Sequence, residues 1–420
     1  MPPGRERRMI VRARVVVTMD GAPIENGAVA ITGNRIVEVG KFSDVSVRNS
    51  GETVDLGEQA LLPGLINSHC HLDYTCLRGK IAAPNSFTDW IHAINAEKGN
   101  LKPENYVASI KKGFSEAKKF GTTTIANLTA FPELISKIES PVRTWWFAEL
   151  IDVRNPGHAK ELVRAVVEYL QSSPHWGLAP HSPFTASADL LRQCEETAGE
   201  KVLLTIHLAE SREEAEMFRD GKGRLYDFLK SIGRLMTDCG NKTPVEKFIS
   251  ETRRRDWMLV HLNEIAETDF DLLTQSKSEM SVVHCPRSHR YFGHSPFQMD
   301  RLRRLGLNVC LGTDSLASND DLSLFAEMRQ VQRTFPETPP EKILAMVTVN
   351  GALALRQQRT LGRIQPGLLA DLVAVPCAGS ADPLEEIIAF DGPVAWSMID
   401  GEAQTPAQEN SRKPLFFSQK

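Results

Sequence analysis

The chain has 420 residues, enough for two or three ordinary domains or for one large barrel with additions. Hydrophobic residues make up 41% and charged residues 24%, a soluble globular composition that excludes a disordered or low-complexity protein. Lys plus Arg (49) nearly balance Asp plus Glu (53), and the net charge of -4 comes without any basic block, so neither nucleic acid nor a membrane surface is expected as a partner.

Every apolar run falls short of the roughly 18 residues a bilayer span needs, and the N-terminal MPPGRERR has no apolar signal core behind it. Seven cysteines, scattered from Cys70 to Cys377, do not read as a disulfide framework, and a cytoplasmic enzyme is the expectation. In chain order, residues 1–62 look all-β: Ala28 to Thr32 and Arg35 to Val39 are joined by Gly33-Asn34, a two-residue hairpin signal. From about residue 65, short apolar runs alternate with segments of helical period. The runs are Leu65–Asn67, Thr122–Asn127, Thr144–Glu149, Trp176–Ala179, Val202–His207, Met258–His261, Ser281–Val283 and Asn308–Leu311. Eight such strands with intervening helices predict parallel βα units and an α/β fold, a (β/α)8 TIM-like barrel over 63–357. Thr338-Pro339-Pro340-Glu341 opens a helix with capping-box spacing. Residues 358–420 turn β again, with Asp371–Val375 and then Val394–Ile399 ending at Asp400-Gly401. The two β-rich ends can pair into one discontinuous domain.

Polar residues gather at the ends of the apolar runs. His69 and His71 follow the first, and alternate residues of an extended segment point the same way, so both imidazoles can converge while Cys70 points elsewhere. His207, His261 and His284 close three further runs, and Asp314 follows Asn-Val-Cys-Leu-Gly-Thr. Any one of these alone reads as a core histidine or a helix cap. Together, on a barrel whose chemistry sits at the C-terminal strand ends, they read as a metal site. Imidazole plus carboxylate suits a divalent ion, zinc first and iron second. Glu210, three residues after His207, is placed for general acid/base work without ligating, whereas Glu213 and Glu214 read as first-turn helix carboxylates.

These residues carry a resemblance. Leu-Pro-Gly-Leu-Ile-Asn-Ser-His-Cys-His (62–71), Ala-Pro-His-Ser-Pro-Phe (179–184), His-Leu-Ala-Glu (207–210), Val-His-Cys-Pro (283–286), Leu-Gly-Thr-Asp-Ser-Leu-Ala-Ser-Asn (311–319) and Gly-Leu-Leu-Ala-Asp-Leu-Val (367–373) are similar to motifs of the amidohydrolase superfamily, in its mononuclear-metal deaminase and chlorohydrolase branch. The resemblance spans almost the whole chain and implies a barrel with a β-sandwich built from both chain ends. It implies His69, His71, His207 and Asp314 as metal ligands, His261 as the group that orients and polarises the water, and Glu210 as the proton shuttle to a ring nitrogen. His181 matches a substrate-contacting position, and His284 is carried over as a partner of Asp314 or of the substrate. No lysine ends the fourth strand, which favours one metal over two. The implied reaction is hydrolytic deamination: Asp314 takes a proton from the activated water, the water oxygen attacks the amino-bearing ring carbon, and ammonia leaves.

The expected substrate is an adenine-bearing nucleoside of the aminodeoxyfutalosine, S-adenosylhomocysteine or methylthioadenosine type. Pro286-Arg287-Ser288-His289 resembles the aminodeoxyfutalosine-type subgroup more than the others. Trp90 is a candidate for the pocket wall, Glu97 for a ribose contact, and Arg154 and Arg287 for a substrate carboxylate. Another N-heterocycle (guanine, cytosine or an s-triazine) is the alternative enzyme reading. A non-catalytic scaffold is the distant one, and it should have lost ligands or shuttle, all of which are present. A homo-oligomer fits relatives of this kind, although no patch in the sequence identifies the contact.

Overall fold

The computed structural model describes residues 7–275, 279–379 and 382–404. Eight strands, Leu65–His71, Thr122–Thr129, Arg143–Leu150, Trp176–Pro180, Leu203–Leu208, Met258–His261, Ser281–His284 and Asn308–Leu311, lie side by side in chain order. Each pairs parallel with the next. A short segment beyond the eighth, Asp314–Ser315, pairs parallel with the first, with Asp314 opposite Cys70, so the sheet curls back on itself. All eight runs read from the sequence are strands, which their continuous apolar character favours when both faces are covered.

Alternation along the strands separates two cores. Leu204, Ile206, Leu259, Val282 and Val309 pack outward with helix residues such as Phe114, Val163, Leu190 and Phe248. Trp145, Phe147, Leu203, Met258, Val260, Val283 and Cys310 form a second cluster inside the curl. Glycine keeps the first turn of the curl tight: a Cβ on Gly64 would lie 2.1 Å from Thr123 Oγ1.

The chain ends meet in a separate eight-stranded sheet. Ile24–Thr32 and Arg35–Lys41 form the expected hairpin, with Thr32 opposite Arg35 across Gly33-Asn34. Leu372–Pro376 runs antiparallel to Gln59–Pro63, joining segments some 300 residues apart. Trp396–Ile399 then turns at Asp400-Gly401 into Glu402–Gln404. The expected pairing of the two ends is therefore present, as one sheet. The helix at 340 differs from expectation. It runs Pro340–Met346 from an N-cap at Pro339, one residue later than the capping-box spacing places it, and the proline side chain has no acceptor to cap the helix.

Arg143, at the start of the third strand, clamps the end sheet to the curled sheet. Its guanidinium lies 3.3 Å from both Asp371 and Asp400, with only 16% of its side chain exposed and Asp371 almost wholly buried. Removing the cation leaves a buried carboxylate unpaired, so Arg143→Ala should lower unfolding stability by about 3 kcal/mol. Chemical denaturation checks this, and an unchanged midpoint would show that the clamp contributes nothing.

Candidate active site

The first strand delivers His69 and His71 through an irregularity in its pairing between Asn67 and Cys70. Cys70 points away, towards the Ala126 carbonyl and Asn127. Asn67 ties this strand to the end of the eighth: its Nδ2 donates to Thr313 Oγ1 at 2.8 Å and its Oδ1 accepts the Thr313 N–H. Asp314 sits next to that tie in a left-handed conformation (φ 57), its carboxylate accepting from Ser288 Oγ and the Ser315 N–H, both at 2.7 Å.

His207 and His261 come from the fifth and sixth strands. In the sixth, Val260 faces the interior and Leu259 faces out, so simple alternation would aim His261 outward. A positive φ of 77 at His261 breaks the alternation at this position. The imidazole stands 3.5 Å from the Glu210 carboxylate and its ring stacks on His207 at 5.3 Å.

The ring nitrogens converge. His207 Nδ1 lies 2.8 Å from the His181 carbonyl, so it carries the proton and Nε2 keeps its lone pair. That lone pair faces His71 Nε2 at 3.3 Å. His69 is fully buried, and neither of its ring nitrogens has a hydrogen-bond partner. Asp314 Oδ1 approaches His69 at 3.8 Å and His71 at 4.0 Å. The groups His69–His71–Asp314 and His69–His207–His261 each bring their donor atoms within 4.8 Å of one another. Orphaned imidazole nitrogens around one carboxylate form a fitting donor set for a divalent cation.

Electrostatics agree with the geometry. Burial, then the other imidazoles, holds His71 well below the usual histidine range and His207 at about 3, so both rings are neutral and able to donate lone pairs. Burial works against the Asp314 carboxylate, yet His69 and His261 hold its pKa well below normal. Burial, then Asp314, pushes the Glu210 carboxyl well above its ordinary value, which favours a protonated acid.

These groups line a cavity of about 420 Å³, within the size range of small-molecule sites. His71, His207, His261, Glu210, Asp314, His181, Trp90 and Arg154 all face it. His181 is oriented by Thr185, 2.7 Å from its Nδ1, and Trp90 stacks on Phe87. Three expected substrate contacts are elsewhere. Arg287 is held by Asp321 at 2.6 Å and Asp320 at 3.0 Å, outside the cavity. His284, with no positive φ to redirect it, keeps the outward register of Val282, stacks on Phe297 at 3.8 Å and borders a different hollow. Glu97 pairs with Lys80 at 3.6 Å.

The sequence reading also missed residues. Glu149 lines the cavity with its carboxylate 3.9 Å from His71 Nδ1, and it continues the inward register Trp145–Phe147–Glu149, the signal that could have found it. Lys98 faces the same space, with its ammonium 4.9 Å over the Tyr74 ring. Glu213 is more than a first-turn carboxylate: it accepts the Phe87 and Thr88 N–H groups, capping the helix Phe87–Lys98 that carries Trp90.

Residues 60–403 match the model of the amidohydrolase family. A 5-methylthioadenosine/S-adenosylhomocysteine deaminase of Nitratidesulfovibrio vulgaris is 30% identical over 87% of this chain and 83% of its own. Among solved structures, Helicobacter pylori aminofutalosine deaminase in complex with methylthio-coformycin superposes with a TM-score of 0.85 at 22% identity, covering 94% of this chain and 100% of that one. A zinc-bound adenosine deaminase from Xanthomonas campestris gives 0.79 at 23% identity, covering 96% and 94%.

Gly312 packs against the site, and a Cβ there would meet the His69 carbonyl oxygen at 2.6 Å and His69 Cβ at 2.8 Å. Gly312→Ala should therefore displace His69 and, if this donor set holds a divalent ion, weaken its affinity for added zinc by about tenfold or more, as losses of ligand support do. Competition with a chromogenic chelator measures it, and wild-type affinity would mean that His69 is not a ligand.

Proposed function

The chain belongs to the amidohydrolase family, a hydrolytic enzyme family, and from that premise we propose that it deaminates an adenine-bearing nucleoside with the help of one divalent metal ion, zinc first. The observation that carries the reading is the pairing of two carboxyl groups of opposite tendency on one cavity. Asp314 lies among the imidazoles of His69 and His71, which favour its carboxylate, and can take a proton; the Glu210 carboxyl stands 3.5 Å from His261, where burial favours the acid form, and can give one. A ring nitrogen that must be protonated beside a carbon under attack by water needs that combination.

His69, His71, His207 and Asp314 would hold the ion, which when bound makes water acidic near neutral pH. The residues do the rest. Asp314 accepts the proton of the attacking water. His261 orients that water, its Nε2 beside Glu210. Glu210 protonates the ring nitrogen next to the amino-bearing carbon, so the ring need not carry a negative charge as the oxygen adds. The proton collected by Asp314 passes to the amino group, the C–N bond breaks and ammonia departs, and the proton left on the added oxygen returns to Glu210 as the carbonyl forms. His181 and Trp90 would flank the base, and the aromatic wall of Phe87, Trp90 and Phe184 excludes water from it.

Lys98 and Arg154 form no ion pair among the described residues and face the cavity. They suit a substrate side group that ends in a carboxylate, which supports the aminodeoxyfutalosine or S-adenosylhomocysteine type over a neutral methylthio group. The division read from the sequence is also proposed: 63–357 as a (β/α)8 barrel, and 1–62 with 358–420 as a flanking β-sandwich, of which 1–6, 380–381 and 405–420 lie outside the described residues. Free thiols at all seven cysteines support a cytoplasmic setting.

Glu210→Gln should keep its zinc and lose about 10²–10⁴-fold in kcat, the usual worth of a positioned proton carrier. Normal deamination by this variant would assign the proton to another group. Arg154→Met should raise KM for carboxylate-bearing adenosyl compounds and leave methylthioadenosine unaffected; equal effects on both would remove Arg154 from side-group recognition.

A further inference from the structure

Glu214 occupies the third position of the helix Arg212–Asp220, and its N–H is given to the Ser211 hydroxyl at 3.1 Å. A glutamate at this position ordinarily turns back to the N-cap peptide and closes a capping box. Here its carboxylate lies by the N-cap Ser211 peptide and also reaches past it into the strand end. Oε2 accepts the Glu210 N–H at 2.7 Å, and Oε1 accepts the Ala209 N–H at 3.3 Å. The side chain that makes these contacts is wholly buried.

The same peptides are held from the other side. Asn263 Nδ2 donates to the Glu210 carbonyl at 3.0 Å. The Ala209 carbonyl accepts the N–H groups of Asn263 and Glu264, both at 2.9 Å. Ala209 is left-handed, with φ 51, and so are His261 and Leu262 in the facing segment. A non-glycine residue keeps that conformation only where its surroundings over-determine it. The two strand ends therefore turn in matched fashion, and the Glu210 carboxyl meets His261 Nε2 at 3.5 Å.

We infer that Glu214 is a positioning residue: together with Asn263 it grips the Ala209–Glu210 backbone and so fixes the Glu210 carboxyl beside His261. This rests on the reading of Glu210 as the proton carrier. Glu214 does not line the cavity, and among the described residues its carboxylate is hydrogen-bonded to the Ala209 and Glu210 peptides rather than to any proposed metal ligand, so it acts through that backbone. A role confined to helix capping would lower stability without altering turnover.

The test compares zinc-loaded Glu214→Leu, Glu214→Gln and Asn263→Ala with the wild type, by kcat, KM, bound zinc and crystal structure. Glu214→Leu should lose at least about tenfold in kcat, since small misplacements of a reacting group are costly, with KM within about twofold and zinc unchanged. Glu214→Gln, which keeps an oxygen for the Glu210 N–H, should recover most of the loss. The crystal structure of Glu214→Leu should show the Glu210 carboxyl withdrawn from His261. If Glu214→Leu does not fold, Asn263→Ala, which releases the grip from the other side, should show the same kcat loss and the same withdrawal. Unchanged kcat, or an unchanged Glu210–His261 spacing, would overturn the inference. If the wild type deaminates no adenine nucleoside, the deaminase reading fails, and the spacing in the variant structures still decides the positioning role.

Discussion

A buried polar atom left without a hydrogen bond commonly costs about 1–3 kcal/mol, and His69, whose ring lies against those of His71, His207 and His261, carries two such atoms. A protein interior does not keep such an arrangement for packing, because apolar side chains of similar size would fill the space at no such cost. A cation shared by these nitrogens and Asp314, as proposed, would turn the penalty into coordination. Burial disfavours charge on His71 and on the Glu210 carboxyl, whereas the neighbouring imidazoles favour the Asp314 carboxylate.

The fold supplies this arrangement through exceptions to its own regularity. A parallel strand aims every second side chain inward, and that rule alone places Glu149, His181 and His207. His261 and Asp314 depend instead on left-handed backbone at the strand ends, and His69 and His71 on an irregular pairing in the first strand. Strained positions gather where the proposed chemistry needs a side chain that the regular sheet would not deliver. Hydrogen bonds of Asn67, Asn263 and Glu214, each buried, hold those exceptions in place.

Most of the architecture was legible because each strand is a short apolar run closed by a polar residue, a pattern that survives without knowledge of neighbours. The residues proposed to hold the metal stood out for the same reason, strengthened by family motifs. The substrate side was less so. Arg287 looked available until Asp320 and Asp321, more than thirty residues away, were seen to occupy it. His284 and His261 end their strands alike in sequence, and only the backbone angle separates the one in the cavity from the one on Phe297. Glu214 looked like a common helix-start acid because its partners are backbone N–H groups, which leave no trace in residue identity.

The central claim is metal-dependent attack of water on an amino-bearing adenine ring. The most direct measurement follows the absorbance change from adenine to hypoxanthine, using metal-free and zinc-loaded protein with adenosine, methylthioadenosine, S-adenosylhomocysteine and aminodeoxyfutalosine. The account requires turnover of at least one of them by the zinc-loaded protein and none by the metal-free form. A fully zinc-loaded protein that leaves every adenine nucleoside unchanged would contradict it.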